Sequence, residues 1–132
     1  MIDRIDHVVL NCRDVDAMAE WYERVLGFGR EVFHTPIKRY AMKFGNQKIN
    51  LRPAGLDKDL WMTGEVDPPG TLDICFIATD SIANALAKLE TEGVEIIRGP
   101  VTQRGALGRM TSIYFRDPDG NLLEIASYDS AE

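Results

Sequence analysis

The chain has little cysteine, only two histidines and no long apolar run. Its cysteines, Cys12 and Cys75, lie in apparent strands without CxxC spacing. That excludes a disulfide framework and points to buried thiols in a reducing compartment. No segment approaches the roughly 18 apolar residues of a membrane span, and Met1-Ile2-Asp3-Arg4 does not begin a signal peptide. A cytoplasmic location without membrane attachment is therefore expected. Positive charge is also in short supply: 15 basic residues face 21 acidic ones, for a net charge of −6 and a pI near 4.9. A nucleic-acid binder needs a basic face, so that class is set aside. What is present is a globular balance, 45% hydrophobic and 27% charged over 132 residues. This supports one domain, 1–132, able to bury a core without staples.

The strongest feature is an internal repeat. A shift of 66 residues carries His7 onto Asp73, Leu10 onto Phe76, Asp14 onto Asp80 and Gly27 onto Gly93. Asp14 and Asp80 follow an apolar strand and open a helical run, where a carboxylate caps free N–H groups. Gly27 and Gly93 close that run, where a left-handed position favours glycine. Val15, Met18, Ala19, Tyr22, Val25 and Leu26 recur at helical steps, as do Ile82, Ala85, Leu86 and Leu89. Three strand-like runs follow each glycine: about 30–34, 39–44 and 47–52, then 95–100, 110–115 and 122–126. Gly45-Asn46 and Asp117-Pro118-Asp119-Gly120 are the turns before the last run of each copy. The repeat then drifts by eight residues, since Asn50 answers to Glu124. Gly99–Arg109, with Gly105 and Gly108, is expected to be a longer, mobile hairpin loop. Two βαβββ modules, about 3–54 and 71–128, are thus joined by a linker at 55–70. The stretch Pro53–Gly70 carries Leu60, Trp61 and Met62, which read equally well as a lid on a core edge and as a pocket wall or subunit contact.

Three ionisable residues interrupt apolar strands: His7, Asp73 and Glu124. An unpaired polar group in such a place costs roughly 2–7 kcal/mol. Strand alternation sets Val8, Leu10, Ile74, Phe76, Leu123 and Ile125 under the helices, and His7, Asp73 and Glu124 on the opposite face. Asn50 takes the equivalent place in the first copy. A histidine with two carboxylates is a nitrogen–oxygen donor set for a divalent metal such as Mn, Fe, Ni, Co or Zn. The bland alternatives are a hydrogen-bonded structural His7, an Asp73 paired with an arginine, and a Glu124 paired with Lys48 or Arg116.

These segments resemble the vicinal oxygen chelate superfamily over about residues 3–128. The resemblance is carried by Ile5–Leu10, by Trp21–Phe28 as a W-Y-x-x-x-L-G-F helix end, and by Tyr114–Glu124 as an F-x-D-P-D-G-N-x-x-E hairpin. Phe44–Leu51 and Gly105–Gly108 are similar to a glyoxalase-domain subgroup within it. The resemblance implies an α+β fold: a cupped mixed sheet with the helices outside. It implies metal ligands at His7, Asp73 and Glu124, with Glu124 the proton-moving carboxylate. Asp73 departs from the histidine of the best-known members, and Asn50 stands where lactoylglutathione lyases keep a carboxylate.

The implied activity is a lyase or isomerase acting on a small oxygenated metabolite through a chelated metal. The main alternative is a metal-free ligand-sequestering protein of the bleomycin-resistance type. A thiol transferase for a phosphonate antibiotic and a ring-cleaving dioxygenase rank lower, the latter for want of histidines. Asn50, Arg52, Arg104, Arg109 and Tyr114 are candidate substrate contacts, with Trp61 a possible cavity wall. Arg104 and Arg109 compete with a reading as solvated loop charges. Cys75 shares parity with Asp73, and His34 reads as a surface residue. A homodimer is expected, with the site shared between subunits or between modules.

Overall fold

A computed structural model describes residues 1–34 and 36–129. The order of elements is β1 (His7–Cys12), α1 (Val15–Leu26), β2 (Gly29–His34), β3 (Lys38–Phe44), β4 (Gln47–Pro53), β5 (Asp73–Ile77), α2 (Ile82–Thr91), β6 (Arg98–Gly105), β7 (Gly108–Arg116) and β8 (Leu122–Tyr128). They form two mixed four-stranded sheets, ordered β1-β4-β3-β2 and β5-β8-β7-β6. The two βαβββ modules are thus present. They fall into two compact units, Met1–Thr71 and Leu72–Glu132.

In the first unit, α1 starts where the Asp14 side chain accepts from the Ala17 N–H at 3.1 Å. It ends at Gly27, left-handed at φ 70°. Met18, Ala19, Trp21, Tyr22 and Val25 are its buried side chains, and it packs on β2, β3 and β4. The Tyr40 hydroxyl donates to Asp16 at 2.6 Å, while Tyr22, Phe28 and Phe44 stack at 5.6 and 4.6 Å. The α1 side of the sheet therefore bears Tyr40, Phe44 and the residues of matching parity, Leu10, Met42, Ile49 and Leu51. His7, Val9, Ala41 and Asn50 occupy the other side.

The segment after β4 is tied down by one side chain. Arg52 is fully buried. Its Nε donates to the Trp61 carbonyl at 3.1 Å. Nη1 reaches Asn11 and Asp67, each at 2.8 Å, and Nη2 reaches the Leu56 carbonyl at 2.5 Å. The guanidinium fork spreads over several loop groups at once, which a lysine would not do. Trp61 is buried, whereas Leu60 and Met62 are exposed.

In the second unit, α2 packs on β7 and β8. Its cap lies one residue later than expected. Ser81, not Asp80, accepts from the Asn84 N–H at 3.1 Å. Asp80 instead accepts from the Ser81 N–H and the Asn84 side chain, both at 2.7 Å. The β7–β8 turn is braced by Asp117, which accepts from Asp119 N, Asn121 N and Asn121 Nδ2 at 3.0, 3.1 and 2.7 Å. Asn121 Oδ1 in turn accepts from Leu72 N at 2.9 Å, joining the turn to the start of β5.

One larger expectation is corrected. Gly99–Arg109 is not a long loop, and of the strand expected over 95–100 only 98–100 is extended, as the start of β6. β6 covers Arg98–Gly105 and turns through Ala106-Leu107 directly into β7. The polar run 102–104 belongs to a sheet edge, where side chains meet water on both sides. A Cβ at Gly105 would stand 2.5 Å from the Tyr128 hydroxyl, so a larger residue there would displace that side chain. That hydroxyl accepts from the Leu107 N–H at 3.0 Å and clasps the hairpin.

Arg52→Ala is expected to lower unfolding free energy by about 3 kcal/mol, because it strips partners from several inward-facing carbonyls and carboxamides at once. Urea denaturation with unchanged m-value checks it. A loss under about 0.5 kcal/mol would show the anchor to be dispensable.

Candidate functional site

Register places the chemistry of the second unit on one sheet face. Cys75 and Glu124 are directly paired across β5 and β8, and Glu124 is paired with Tyr114 across β8 and β7. Asp73 and Ser112 share this parity, two residues from Cys75 and Tyr114 respectively. The opposite face holds Ile113, Phe115 and Leu123, all fully buried.

Glu124 is 9% exposed, and its Oε2 has no hydrogen-bond partner. The Ser112 hydroxyl, fully buried, also lacks one. The neighbours of Glu124 register its charge. Loss of water pushes the Cys75 thiol up to about 11, and the Glu124 charge and hydrogen bonding add to the effect, with Asp73 a lesser cause. The Tyr114 phenol is raised by the same causes in the same order: burial first, then Glu124. A thiol so shifted is poorly nucleophilic, so Cys75 is not built for covalent chemistry. Asp73 is exposed at the start of β5.

In the first unit, His7 Nδ1 lies 2.7 Å from Asp6 Oδ1. This interaction is the leading reason that the Asp6 carboxyl titrates below its usual value. The contact favours the tautomer with the proton on Nδ1 and leaves Nε2 as the acceptor nitrogen. Asn50 is 9% exposed with Oδ1 unpartnered, between Val9 of β1 and Ala41 of β3.

Other candidates lie elsewhere. Arg52 has its donors committed to the segment after β4. Arg104 and Arg109 face each other at the hairpin end. Their parity sets them on the face opposite Glu124 and Tyr114, and Arg109 pairs with Asp129 at 2.9 Å. Of these candidate substrate contacts, Arg52 is an internal anchor, and Arg104 and Arg109 lie on the face opposite Glu124 and Tyr114. Trp61 carries the Arg39 guanidinium 4.4 Å above its ring. His34 is exposed at the end of β2.

Sequence reading passed over Ser112 and Arg39. The parity of Ser112 with Tyr114 was available as a signal. The place of Arg39 depends on a β3–β4 register that composition does not reveal. Among the described residues, no three His, Cys, Asp or Glu side chains gather into a group able to hold a metal ion.

Two βαβββ units, each with a mixed four-stranded sheet, define the glyoxalase/bleomycin resistance fold. A family model for the Glyoxalase/Bleomycin resistance protein/Dioxygenase superfamily matches residues 4–125, and the chain belongs to that superfamily. It is 41% identical over 128 residues to glyoxalase domain-containing protein RDO1 of Mycosarcoma maydis, spanning 97% of this chain and 70% of that protein. It is also 41% identical to virulence protein STM3117 of Salmonella typhimurium, spanning 97% of this chain and 86% of that protein. The crystal structure of STM3117 superposes with a TM-score of 0.90 over 98% of this chain and 99% of that one. The integron cassette protein VCH_CASS1 of V. cholerae, 40% identical, gives a TM-score of 0.91 over 98% of each chain.

With a raised thiol, Cys75 is expected to alkylate slowly in chelator-treated protein. Moving a thiol from 9.0 to about 11 cuts the thiolate at neutral pH roughly a hundredfold. Iodoacetamide rates followed against pH should rise through about 11, and Glu124→Gln should move that rise toward 9.0. Cys12, fully buried, supplies no competing signal. An unchanged profile in the variant would remove Glu124 as a cause.

Proposed function

We propose that the protein is a metal-dependent enzyme of the glyoxalase type, a lyase or isomerase that moves a proton on a small oxygenated metabolite. The observation that carries this reading is Glu124, a carboxylate built into β8 with one oxygen bare and with Tyr114 and Cys75 as cross-strand neighbours. A structural carboxylate would be expected to use both oxygens, since a bare buried acceptor costs about 1–3 kcal/mol.

The proposed nitrogen and oxygen donors are of kinds that suit a divalent cation. In this reading Glu124 would offer Oε2, and the Asp6 contact at Nδ1 of His7 leaves Nε2 to serve as a ligand. Asp73 is the third proposed ligand. Such an ion, when bound, supplies Lewis-acid stabilisation of developing charge on substrate oxygen. The chain's own work is to position and to move a proton. Glu124 accepts a proton from carbon and returns it. Tyr114 donates its phenolic hydrogen bond toward that carboxylate and keeps it oriented. Ser112 offers a hydroxyl beside the same strand pair. The remaining strand surface, Leu122 and Ala126 on either side of Glu124 on β8, is apolar and keeps the carboxylate poorly hydrated.

Elemental analysis of protein purified without chelator tests the metal. We expect one divalent ion per His7–Glu124 pair, with His7→Ala and Glu124→Ala each weakening binding by more than about a hundredfold while the far-UV spectrum is kept. A wild type that binds no Mn, Fe, Ni, Co or Zn in calorimetry would replace this reading by ligand sequestration. The −6 charge suits that second reading where the ligand is cationic. Mixing His7→Ala with Glu124→Ala chains decides how the ligands are shared. Occupancy that returns on subunit exchange means a homodimer with sites made by two chains. No return despite exchange means that each chain makes its own.

A further inference from the structure

We infer that the first unit carries a recognition site for a 2-hydroxy acid or a close analogue: a carboxylate with a hydrogen-bond donor on the neighbouring carbon. Arg39 takes the carboxylate, and Asn50 takes the donor. The inference deepens the proposed function by naming the ligand's chemistry, and it rests on that reading only for the ligand being turned over.

Two buried polar atoms on one face of the first sheet have no partner. Arg39 Nε is a donor, and Asn50 Oδ1 is an acceptor. Asn50 is paired with Ala41 across β3 and β4 and with Val9 across β4 and β1. Both neighbours are short, so Asn50 lies in a floor between longer side chains. Arg39 stands two residues from Ala41 on β3, diagonal to Asn50 and on the same face. Lys48 precedes Asn50 by two on β4 and so shares its face.

Arg39 is held but not neutralised. Its Nη2 donates to the Leu60 carbonyl at 3.3 Å, and its guanidinium rides 4.4 Å over the Trp61 ring. It forms no ion pair among the described residues. Lys43 and Lys48 share one carboxylate, Glu31, at 3.5 and 3.4 Å. The neighbouring Arg52 is matched by Asp67. The face thus has more cations than carboxylates, and its fixed, aromatic-backed guanidinium has an edge N–H to spare. That arrangement selects an anion with planar oxygens.

The pairing of a donor with an acceptor also decides against simpler occupants. A simple anion such as chloride or sulfate satisfies Arg39 and leaves the Asn50 acceptor bare. A hydroxyl beside a carboxylate satisfies both.

The test uses the three smallest probes that separate these groups: glycolate, acetate and ethylene glycol. They are titrated into full-length protein and followed by the Arg Nε–H and Asn side-chain amide signals in ¹⁵N NMR. Glycolate should shift the signals of Arg39 and Asn50 and bind about fivefold or more tighter than acetate, with ethylene glycol silent. Arg39→Gln should weaken glycolate roughly tenfold. Arg39→Lys, which keeps the charge and loses the planar fork, should do nearly the same. Asn50→Leu should bring glycolate to the level of acetate.

Equal binding of glycolate and acetate overturns the inference, as does glycolate binding that leaves the Arg39 signal unmoved. Fold is checked in each variant by the dispersion of the remaining amide signals. If wild-type protein binds glycolate this way and binds no metal, the enzyme reading fails and this site stands.

Discussion

A bare oxygen inside a β-sheet is the constraint around which both units are arranged. Sheet-forming side chains on a covered face are normally apolar, because the backbone ladder already uses the local hydrogen-bonding capacity. Here β4 and β8, each flanked by strands on both sides, place Asn50 and Glu124 with less than a tenth of their surface exposed and one oxygen unpartnered. Each such atom costs about 1–3 kcal/mol, a notable share of the 5–15 kcal/mol by which a domain is stable. The surrounding structure has to offset that cost and hold the strand in place regardless.

Each unit does so differently, despite the shared βαβββ plan. In the first, Arg52 follows Asn50 by two residues and draws the Leu56, Trp61 and Asp67 groups onto the end of β4. In the second, Asp117 and Asn121 precede Glu124 and lock the β7–β8 turn to Leu72. The brace lies after the polar residue in one copy and before it in the other. The conspicuous D-P-D-G-N run is therefore a support: its side chains hold the turn that leads into β8 and Glu124.

How much of this was legible depended on whether local pattern alone decided the outcome. Helix ends were readable because Asp14 and Gly27 act within one turn of their own position. Strand parity around Glu124 was readable because alternation needs no partner strand. Only the first three residues of β6 fell within the expected strand, because an edge strand with polar Thr102, Gln103 and Arg104 has the composition of a loop. Arg52 was misjudged for a related reason. An arginine at a strand end looks available, and only the path of residues 53–70 shows that it is consumed. Arg104 and Arg109 looked like loop charges until the tight hairpin gave them a parity.

The two polar faces differ in sign, and that difference bears on the chemistry each can do. The first bears Arg39, Lys43 and Lys48 against Glu31. The second bears Asp73 and Glu124, with Cys75 and Tyr114 kept protonated beside them. A cationic face holds an anion well but would blunt a nearby carboxylate base by stabilising its charged form. An apolar, weakly acidic face repels an anion and holds its thiol and phenol protonated.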